Sequence, residues 1–388
     1  MRVAFFSNLL NIHQARIADA LWRLTGGQFS FVELVAGKQY EKKGGDEDFT
    51  ERPYLLRAWE SKEKKEEAMR IALTADCCVF GGILSLEFMR ERLKLGKLSF
   101  DMSERWLKRG MKNLLSPTIA RLFLAYKVHG WDKAPLYKLC CSAYAASDQE
   151  RLKTYVGRCY KWGYFTAVDR NLAVPISGRE IRSILWCGRF LQLKHPELVI
   201  LLAYELRKRG YEFKLNVFGN GPMKDQMQNL VQELGLFEVV SIHSSVPNSV
   251  ILSKMREHGV FVFTSDQREG WGAVANESMA NGCALVASDT MGSTPFLVRD
   301  GLNGVAFKGP SVSSSIDSPD LVALRSLIDK VEWLFKNPDE ADRIRQNAYE
   351  QMRDVWSPEV AAERLLTLSE ALQRGEDTVY SSGPCSRA

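Results

Sequence analysis

Residues 260–277 read VFVFTSDQREGWGAVANE, and they carry the clearest fold signal in the chain. The first four residues, Val260–Phe263, are an uninterrupted apolar run, which predicts a strand buried on both faces. A polar loop containing glycine follows, and a helical pattern resumes after Gly272. A buried strand, a loop and a helix in this order form the repeating unit of a parallel α/β sheet. The stretch also places two carboxylates, Glu269 and Glu277, eight positions apart.

The same alternation continues in both directions from this stretch. Further strands are predicted at 3–7, 29–35, 77–80, 139–143, 184–187, 213–218, 239–242, 284–287 and 304–307. Helices are predicted at 12–24, 196–209, 224–234, 320–335 and 358–372. A chain of 388 residues is too long for one ordinary core, so we predict an α/β protein with two Rossmann-like, doubly wound domains.

The domain boundaries are predicted from the segments that join these elements. Residues 166–182 contain Pro175 and Gly178 and have no sustained periodicity, as expected of a linker. We predict a first domain at 1–170, a second domain at 171–357, a C-terminal helix at 358–374 and a disordered tail at 375–388.

The net charge of +5 is unevenly distributed along the chain. Residues 1–175 contain 29 Lys/Arg and 20 Asp/Glu, whereas residues 176–388 contain 23 and 27. The excess is concentrated between Phe88 and Lys138, with twelve basic residues and four acidic ones. This asymmetry predicts an anionic partner for the first half. The basic residues are accompanied by neither a zinc-finger nor an RNP-type pattern, so we do not expect nucleic acid to be that partner.

The cysteines and the apolar runs bear on the compartment. The eight cysteines include no CxxC pair and no spacing with histidine that is typical of zinc sites, which predicts buried thiols in a reducing environment. Met1 leads directly into a strand-like run, so no signal peptide is expected. The longest apolar run, residues 77–86, is about half the length that a membrane span needs. We expect a cytoplasmic protein whose contact with membranes, if any, is peripheral.

The two carboxylates of the opening stretch are the first candidate ligand site. Glu269 is on a loop at the carboxyl end of a predicted strand, the edge at which open α/β sheets bind ligands. The neighbouring glycines let backbone N–H groups approach a polar ligand, and a carboxylate can accept paired hydroxyls of a sugar or ribose. The alternative from spacing alone is a solvated loop charge at Glu269 and a surface helix residue at Glu277.

A second candidate site follows the predicted strand at 184–187. Gly188 forms a turn, and Arg189 and Lys194 lie five positions apart after it, where two cations are suited to neutralising a diphosphate. An exposed loop with ordinary surface cations is the alternative.

Two more glycine turns each enter a predicted helix, so their N–H groups are placed to hold a phosphate. They contain Gly219 and Gly221 in one case and Gly292 and Ser293 in the other. Neither is a Walker A loop, and neither completes a GxGxxG fingerprint.

Four such turns, in this order at the strand ends of one domain, resemble the carboxyl-terminal domain of the retaining glycosyltransferases of family 4. The resemblance covers about residues 184–372 well and the first half more loosely. It implies the GT-B fold, in which two Rossmann-like domains face a central cleft. The first domain would bind the acceptor and the second the nucleotide-sugar donor, and the helix at 358–374 would cross back to the first domain.

The E-x7-E motif of that family matches Glu269 and Glu277. The resemblance implies that Glu277 accepts the ribose hydroxyls of the nucleotide. It also implies that Glu269 meets hydroxyls of the donor sugar, together with the amides of Gly270, Trp271 and Gly272.

The family's G-R-x4-K element matches Gly188, Arg189 and Lys194. The resemblance implies that the two cations contact the diphosphate and stabilise the leaving phosphate, which makes Arg189, Lys194 and Glu269 the catalytic candidates. The other donor-binding residues that it implies are Gly219, Gly221, Val246, Gly292 and Ser293. This chain departs from the family's common pattern at Ser244 and Phe296, where other members often have Gly and Glu.

The first half departs further from the family. Residues 7–14 stand where many members have a Gly-Gly loop, and residues 103–106 are similar to a subgroup from bacterial surface-polysaccharide clusters. His13 and Glu104 are the acceptor-side candidates. A helix-capping or solvated role is the alternative for His13.

The implied reaction moves a hexose from a nucleoside-diphosphate sugar to a glycan or lipid-linked glycan in polysaccharide or glycolipid biosynthesis, with retention of configuration. A UDP sugar is favoured over a GDP sugar, and neither a cofactor nor a metal ion is expected. The chain's one Asp-x-Asp, at residues 46–48, follows no strand and is predicted to be a solvated loop.

Residues 88–112 alternate apolar and basic side chains, a composition that suits a helix on an anionic membrane surface and fits a lipid-linked acceptor. A solvated basic face is the alternative.

Three other functions stay open at this point: a soluble-acceptor transferase, a nucleotide-sugar epimerase of the same fold, and a non-catalytic membrane-associated protein. The presence of both glutamates with Arg189 and Lys194 argues against the last of these.

Overall fold

The computed structural model describes residues 1–36, 49–170, 180–377 and 380–388, and the chain divides into two compact units. The first unit comprises Met1–Thr166 and Val355–Ala388, and the second comprises Ala167–Asp354. The divisions therefore lie within a few residues of the predicted boundaries at 170 and 357. Residues 46–48, which contain the Asp-x-Asp, and most of the predicted linker lie outside the described residues.

The first unit is built on a seven-stranded parallel sheet. The strands of this sheet are β1 (Val3–Ser7), β2 (Phe29–Glu33), β3 (Leu55–Arg57), β4 (Cys77–Gly81), β5 (Ser99–Ser103), β7 (Leu136–Cys140) and β8 (Cys159–Lys161), and the short strand β6 (Lys108–Met111) lies outside it. The sheet has the order β3-β2-β1-β4-β5-β7-β8, so the order reverses between β1 and β4. The short strands β3, β5, β6 and β8 were not predicted. Strand β7 begins three residues earlier than predicted and includes the polar residue Lys138, which is buried beside Asp101 of β5.

The helices of the first half are α1 (Ile12–Leu24), α2 (Lys62–Thr74), α3 (Leu86–Lys94), α4 (Pro117–Val128) and α5 (Ala145–Leu152). Helix α1 begins where the sequence predicts it, because the Asn11 side chain accepts hydrogen bonds from the backbone N–H groups of His13 and Gln14. Its buried face, which includes Ile17 and Leu21, packs toward the sheet core.

The prediction of a helix over residues 88–112 is wrong, whereas the contact of these residues with a membrane stays a prediction. Helix α3 ends at Lys94, and the chain then enters the parallel sheet as β5, between β4 and β7. The apolar residues of this stretch serve the core, since Phe88 and Trp106 are almost completely buried. Arg92 is also fully buried, where its guanidinium donates hydrogen bonds to the carbonyl oxygens of Ala72 at 2.6 Å and Ala75 at 2.8 Å.

The second unit contains a six-stranded parallel sheet. Its strands are β9 (Ser183–Cys187), β10 (Lys214–Phe218), β11 (Val240–His243), β12 (Val260–Phe263), β13 (Ala284–Ser288) and β14 (Val305–Phe307). The order β11-β10-β9-β12-β13-β14 reverses between β9 and β12. Ligands of doubly wound sheets bind at the carboxyl ends of the strands beside such a reversal.

Helices cover both faces of this sheet and bury its apolar strands. They are α6 (Pro196–Lys208), α7 (Lys224–Glu233), α8 (Asn248–Glu257), α9 (Val274–Ala280), α10 (Thr294–Leu297), α11 (Leu321–Lys336) and α12 (Pro338–Asp354). Trp186 and Phe190 stack inside the core with their ring centroids 5.6 Å apart. The prediction of two doubly wound parallel α/β units is thus confirmed.

The C-terminal part of the chain belongs to the first unit. Helix α13 (Pro358–Gln373) packs against α1. The prediction of a disordered tail is wrong for residues 380–388, because they run antiparallel to β8, with Cys385 N–H donating to Lys161 O at 2.8 Å and Ala388 N–H to Cys159 O at 3.1 Å. Cys385 is fully buried, which the polar composition of this segment did not indicate.

Candidate functional site

The loop after β12 is fixed to the carboxyl edge of the second sheet. Asp266 is fully buried, and Glu269 N–H donates to Asp266 O at 3.0 Å, so Glu269 is held in a tight turn. Gly272 has a φ of 80°, and a Cβ there would lie 2.2 Å from Cζ of Phe263, the last residue of β12. A glycine is therefore required where this loop crosses the end of the strand.

Trp271 anchors the same loop from within the core. Its side chain is fully buried and donates from Nε1 to Asn276 Oδ1 in α9 at 2.8 Å. Phe296, one of the departures from the family pattern, packs on its ring with the centroids 6.2 Å apart. The Trp271 side chain thus packs in the core under the loop, and only the backbone of Trp271 can contact a ligand.

Glu277 is on α9, one turn after the loop, and is only 4% exposed. Asn248 of α8 donates to its Oε1 at 3.3 Å. Burial raises the pKa of Glu277 to about 7, although the hydrogen bond from Asn248 opposes the shift. A buried carboxyl group with one weak donor among the described residues has unused acceptor capacity, which suits a ligand hydroxyl.

The first two candidate sites predicted from the sequence are in direct contact through their side chains. Lys194, after β9, forms an ion pair with Oε2 of Glu269, after β12. Both side chains are largely buried, at 14% and 16% exposure. Ser265 also donates to Glu269 Oε2 at 3.3 Å, and the Lys194 ammonium lies 5.5 Å from the centroid of the Phe263 ring. The pair therefore lies at the reversal between β9 and β12.

Glu277 and Lys194 also act on one group at the end of β9. Burial and the charge of Glu277 together raise the pKa of the Cys187 thiol to about 12, and the charge of Lys194 opposes the shift. Glu277 and Lys194 thus both influence the thiol at the end of β9. Arg189 follows two residues later, with an exposed side chain.

The loops after β9 and β10 pack backbone against backbone. Gly188 N–H donates to Phe218 O at 3.0 Å, and Phe190 N–H donates to Asn220 O at 2.9 Å. A Cβ at Gly219 would lie 1.9 Å from Gly188 O, and one at Gly221 would lie 2.6 Å from Phe190 O. These two predicted glycines are therefore needed for the loops to approach, independently of any ligand.

The loop before α10 contains two buried hydroxyls. Ser293 and Thr294 follow the buried Gly292, and their side-chain oxygens have no hydrogen-bond partner within the described part of the chain. Buried hydroxyls are normally paired, so these two oxygens are available to a ligand with several acceptors. Val246 is half-buried in the loop after β11, and β10 lies between β11 and β9 in the sheet.

The two acceptor-side candidates meet in the first unit through a residue that the sequence did not single out. The ring of His13 stacks on Tyr164 with centroids 5.9 Å apart, and the Tyr164 hydroxyl donates to Glu104 Oε1 at 2.9 Å. Lys108 forms an ion pair with the other oxygen of Glu104. Burial lowers the pKa of His13 to about 4, so its ring is neutral near pH 7. Tyr164 lies shortly after β8. The sequence analysis did not single out Tyr164 because it did not predict this strand.

The match to a family model covers most of the second unit. Residues 179–351 match the model of the family described as glycosyl transferases group 1. Alpha-D-kanosaminyltransferase of Streptomyces kanamyceticus is 27% identical over 187 residues, which are 47% of this chain and 44% of that protein. D-inositol 3-phosphate glycosyltransferase of Paenarthrobacter aurescens (strain TC1) is 30% identical over 179 residues, 42% of each chain. The chain thus spans less than half the length of these curated relatives.

Solved structures show the same fold over nearly the whole chain. Anabaena HepE, solved in complex with UDP, gives a TM-score of 0.68 at 12% identity, covering 96% of this chain and 100% of that chain. Sucrose-phosphate synthase from Thermosynechococcus elongatus gives 0.65 at 14% identity, with coverage of 97% and 100%. These neighbours and the two parallel sheets establish the GT-B fold class. The match to the glycosyl transferases group 1 family lies within the second unit of this chain.

Proposed function

We propose that this protein is a retaining glycosyltransferase of family 4 that moves a hexose from a nucleoside-diphosphate sugar to a glycan or lipid-linked glycan. The observation that carries the proposal is the pairing of Lys194 with Glu269 at the reversal between β9 and β12, with the buried Glu277 in the helix that follows the same loop, inside the matched residues. UDP is the preferred nucleotide, since HepE was solved with UDP. A GDP sugar is the second choice, because another relative is named for its dependence on GDP-mannose.

The site residues divide between the two ends of the donor. Glu277 would accept the ribose hydroxyls, for which its buried carboxyl group has free acceptor capacity. Arg189, Lys194 and the hydroxyls of Ser293 and Thr294 would contact the diphosphate. Glu269 would then exchange part of its contact with Lys194 for hydroxyls of the sugar.

The reaction follows from where charge develops. Cleavage of the glycosyl–phosphate bond places negative charge on the departing diphosphate and positive character on the anomeric carbon. Arg189 and Lys194 stabilise the phosphate charge as it grows, the differential stabilisation that accelerates a reaction, and we propose that they do so without a metal ion. On the retaining path, the acceptor hydroxyl attacks from the face that the phosphate leaves, and the phosphate takes its proton.

The first unit would supply the acceptor side. His13, Tyr164 and Glu104 form one connected group, and Lys108 gives it a cation. The neutral ring of His13 can accept a hydrogen bond from an acceptor hydroxyl. His13→Ala and Glu104→Gln are expected to raise the KM for the acceptor with little change in nucleotide affinity.

Calorimetry with UDP, GDP, ADP and TDP tests the donor assignment. One nucleotide should bind the wild-type protein, and Glu277→Ala should abolish that binding. Incubation with the matching nucleotide sugars then separates the remaining functions, because a transferase needs an acceptor, whereas an epimerase converts the sugar without one. Failure of all four nucleotides to bind a folded protein would favour a non-catalytic role.

A peripheral membrane role is proposed from a surface that overlaps the stretch indicated by the sequence only at residues 105–112. Residues 105–131 contain six Lys/Arg and no Asp/Glu. Within this basic-apolar surface, Leu115, Leu124 and Val128 are 85%, 56% and 74% exposed. Exposed apolar side chains among cations match an anionic lipid surface, and such a surface fits a lipid-linked acceptor. None of the described helices is both long and apolar enough to cross a membrane.

Sedimentation with vesicles of phosphatidylglycerol and phosphatidylcholine tests this surface. The wild-type protein should sediment with vesicles rich in phosphatidylglycerol, and Lys112→Glu/Arg121→Glu should release it. Lys62→Glu/Arg70→Glu changes the net charge equally on the exposed side of α2 and should leave binding intact. Equal behaviour of the two double variants would assign the binding to net charge alone and exclude a role for the basic-apolar surface.

A further inference from the structure

A buried histidine lies next to Lys194 at the candidate donor site. His195 follows Lys194, immediately before α6, and is fully buried. Its φ of 46° is in the left-handed region, which residues with a side chain rarely adopt. A conformation of this kind persists only where the surrounding contacts hold it in place.

Both ring nitrogens of His195 face carboxylates. Nδ1 lies 2.7 Å from Glu197 Oε1, and Nε2 lies 3.1 Å from Asp266 Oδ2. Glu197 and Asp266 are themselves buried. A neutral imidazole has one N–H, so one carboxylate would then face a lone pair at hydrogen-bond distance. With both carboxyl groups ionised, the imidazolium form, which donates from both nitrogens, satisfies this arrangement.

The histidine connects the two loops that carry the Lys194–Glu269 ion pair. Asp266 N–H donates to Leu193 O at 3.0 Å, one residue before Lys194. Asp266 O in turn accepts from Glu269 N–H at 3.0 Å. Thr264 makes a parallel connection, since its hydroxyl donates to Lys194 O at 2.6 Å.

We propose that His195 is a positioning residue that, as an imidazolium between Glu197 and Asp266, sets the separation of Lys194 and Glu269 and thereby the affinity for the donor diphosphate. The inference rests on the proposed function, because it assigns Lys194 to the diphosphate. When the ring loses its proton, one of its two hydrogen bonds becomes a repulsive contact, and the loop after β9 is no longer held against the loop after β12.

The charged groups around the ring define the pH range. Glu197 contributes from α6 and Asp266 from the loop after β12, where Arg268 pairs with Asp266 at 2.6 Å. Beyond them lie Lys194 and Glu269. Burial lowers the pKa of His195, but the hydrogen bonds to Asp266 and Glu197 outweigh it and raise the pKa to about 9. The imidazolium is therefore present at pH 7 and is lost as the pH rises through about 9.

The test compares UDP binding to the wild-type protein and His195→Gln by calorimetry between pH 6.5 and 10, with circular dichroism at each pH. If GDP, ADP or TDP is the nucleotide that binds, it replaces UDP. Glutamine can donate to only one of the two carboxylates, so the variant should bind about tenfold more weakly at pH 7. Titration of the nucleotide affects both proteins equally, and the ratio of the two dissociation constants should therefore fall toward one at pH 10.

Two further variants make the test decisive if His195→Gln does not fold. Glu197→Gln removes one carboxylate, so it should shift the loss of affinity to lower pH. His258→Gln replaces another buried histidine of the same unit, which precedes the opposite end of β12 and contacts Asn216, and it should bind like the wild type. A ratio for His195→Gln that does not change with pH, or an unshifted profile for Glu197→Gln, would overturn the inference. Absence of nucleotide binding to the wild type would instead contradict the proposed function.

Discussion

At the scale of single residues, the candidate site keeps polar groups buried that stability alone would not favour. Glu277 is almost completely buried and accepts one long hydrogen bond from Asn248. The hydroxyls of Ser293 and Thr294 are buried without a partner among the residues that the structure describes. Buried polar groups of this kind destabilise a fold unless a ligand satisfies them. Their concentration at one sheet edge is the residue-level evidence for a binding site.

The first prediction concerns Glu277→Gln. The folded pKa of about 7 lies above the unfolded value of 4.5, so ionisation favours the unfolded chain, and the penalty grows as the pH rises from 4.5 to 7. Glutamine removes the penalty, and the free energy of unfolding at pH 8 should rise by on the order of 2 kcal/mol. Urea denaturation at pH 8 and pH 4.5 measures this gain, which should disappear at the lower pH.

The same variant should bind UDP more than tenfold more weakly, since an amide is a poorer acceptor for paired ribose hydroxyls than a carboxylate. Glu233→Gln, at an exposed position of α7, is the matched control and should change neither property. A loss of stability in Glu277→Gln at pH 8 would contradict the view that the carboxyl group is kept for a ligand.

At the scale of elements, the site is made of loops that pack on one another at strand ends. The loops after β9 and β10 approach so closely that Gly219 and Gly221 have no room for a Cβ. The loops after β9 and β12 are joined by Asp266, Thr264 and the Lys194–Glu269 pair. The positions of these loops are therefore coupled, and a displacement of one loop should displace the others.

The second prediction compares Gly219→Ala with Gly210→Ala. Both glycines have positive φ values, 157° and 81°, but a Cβ at Gly210 has nothing within 4 Å, whereas one at Gly219 would overlap Gly188 O. Gly210→Ala should lower the free energy of unfolding by about 1 kcal/mol, and Gly219→Ala by about 3 kcal/mol or more. Urea denaturation measures both, and calorimetry should find UDP binding weakened only in Gly219→Ala. Equal destabilisation by the two substitutions would contradict this steric argument.

The third prediction concerns residues 380–388, which lie along β8 as an added edge segment. A chain ending at Asp377 loses this pairing and the burial of Cys385, so its free energy of unfolding should fall by about 2 kcal/mol or more. Thermal unfolding followed by circular dichroism checks the change. Arg387→Ala tests the contact of the guanidinium with the Tyr160 ring, 4.6 Å away, and should cause a smaller loss. Full stability of the shortened chain would show that the segment contributes little.

At the scale of the whole molecule, each unit has its own sheet and its own buried core. The charge is divided in the same way, with the basic excess in the first half of the chain. The proposed donor residues lie within Ala167–Asp354, and the acceptor-side residues lie within Met1–Thr166. Such a division assigns different ligands to different units, and it can be tested unit by unit.

The fourth prediction uses hydrogen exchange on the intact protein. UDP should slow exchange in peptides that cover the loops after β9, β10, β12 and β13, because their amides and hydroxyls surround the proposed nucleotide site. Peptides containing His13, Glu104 and Tyr164 should exchange at unchanged rates until an acceptor is added. Protection of the first unit by UDP, with no protection of the second, would contradict the assignment.

The sequence by itself determined the fold class and the order of the loops that form the candidate site. The strands β1 and β12 and the helix α1 have the bounds predicted, because continuous apolar runs and capping residues such as Asn11 are local signals. The positions of Glu269 and Glu277, after a strand and within the next helix, follow from the same signals. Short polar strands such as β5 and β8 escaped prediction because pairing with neighbouring strands, which sequence periodicity does not record, is what makes them strands.

Only the tertiary structure decided which of the candidate residues meet. Lys194 and Glu269 are 75 positions apart and pair because β9 and β12 are adjacent in the sheet. The same adjacency places His195 against Asp266, a contact that the sequence did not suggest. The tertiary structure also decided that Trp271 packs in the core under the loop. It decided as well that residues 88–112 form parts of a helix and of strands, with apolar side chains in the core. Local patterns specify elements, whereas contacts between distant residues depend on the order of strands in the sheet, and that order is set by packing of the whole chain.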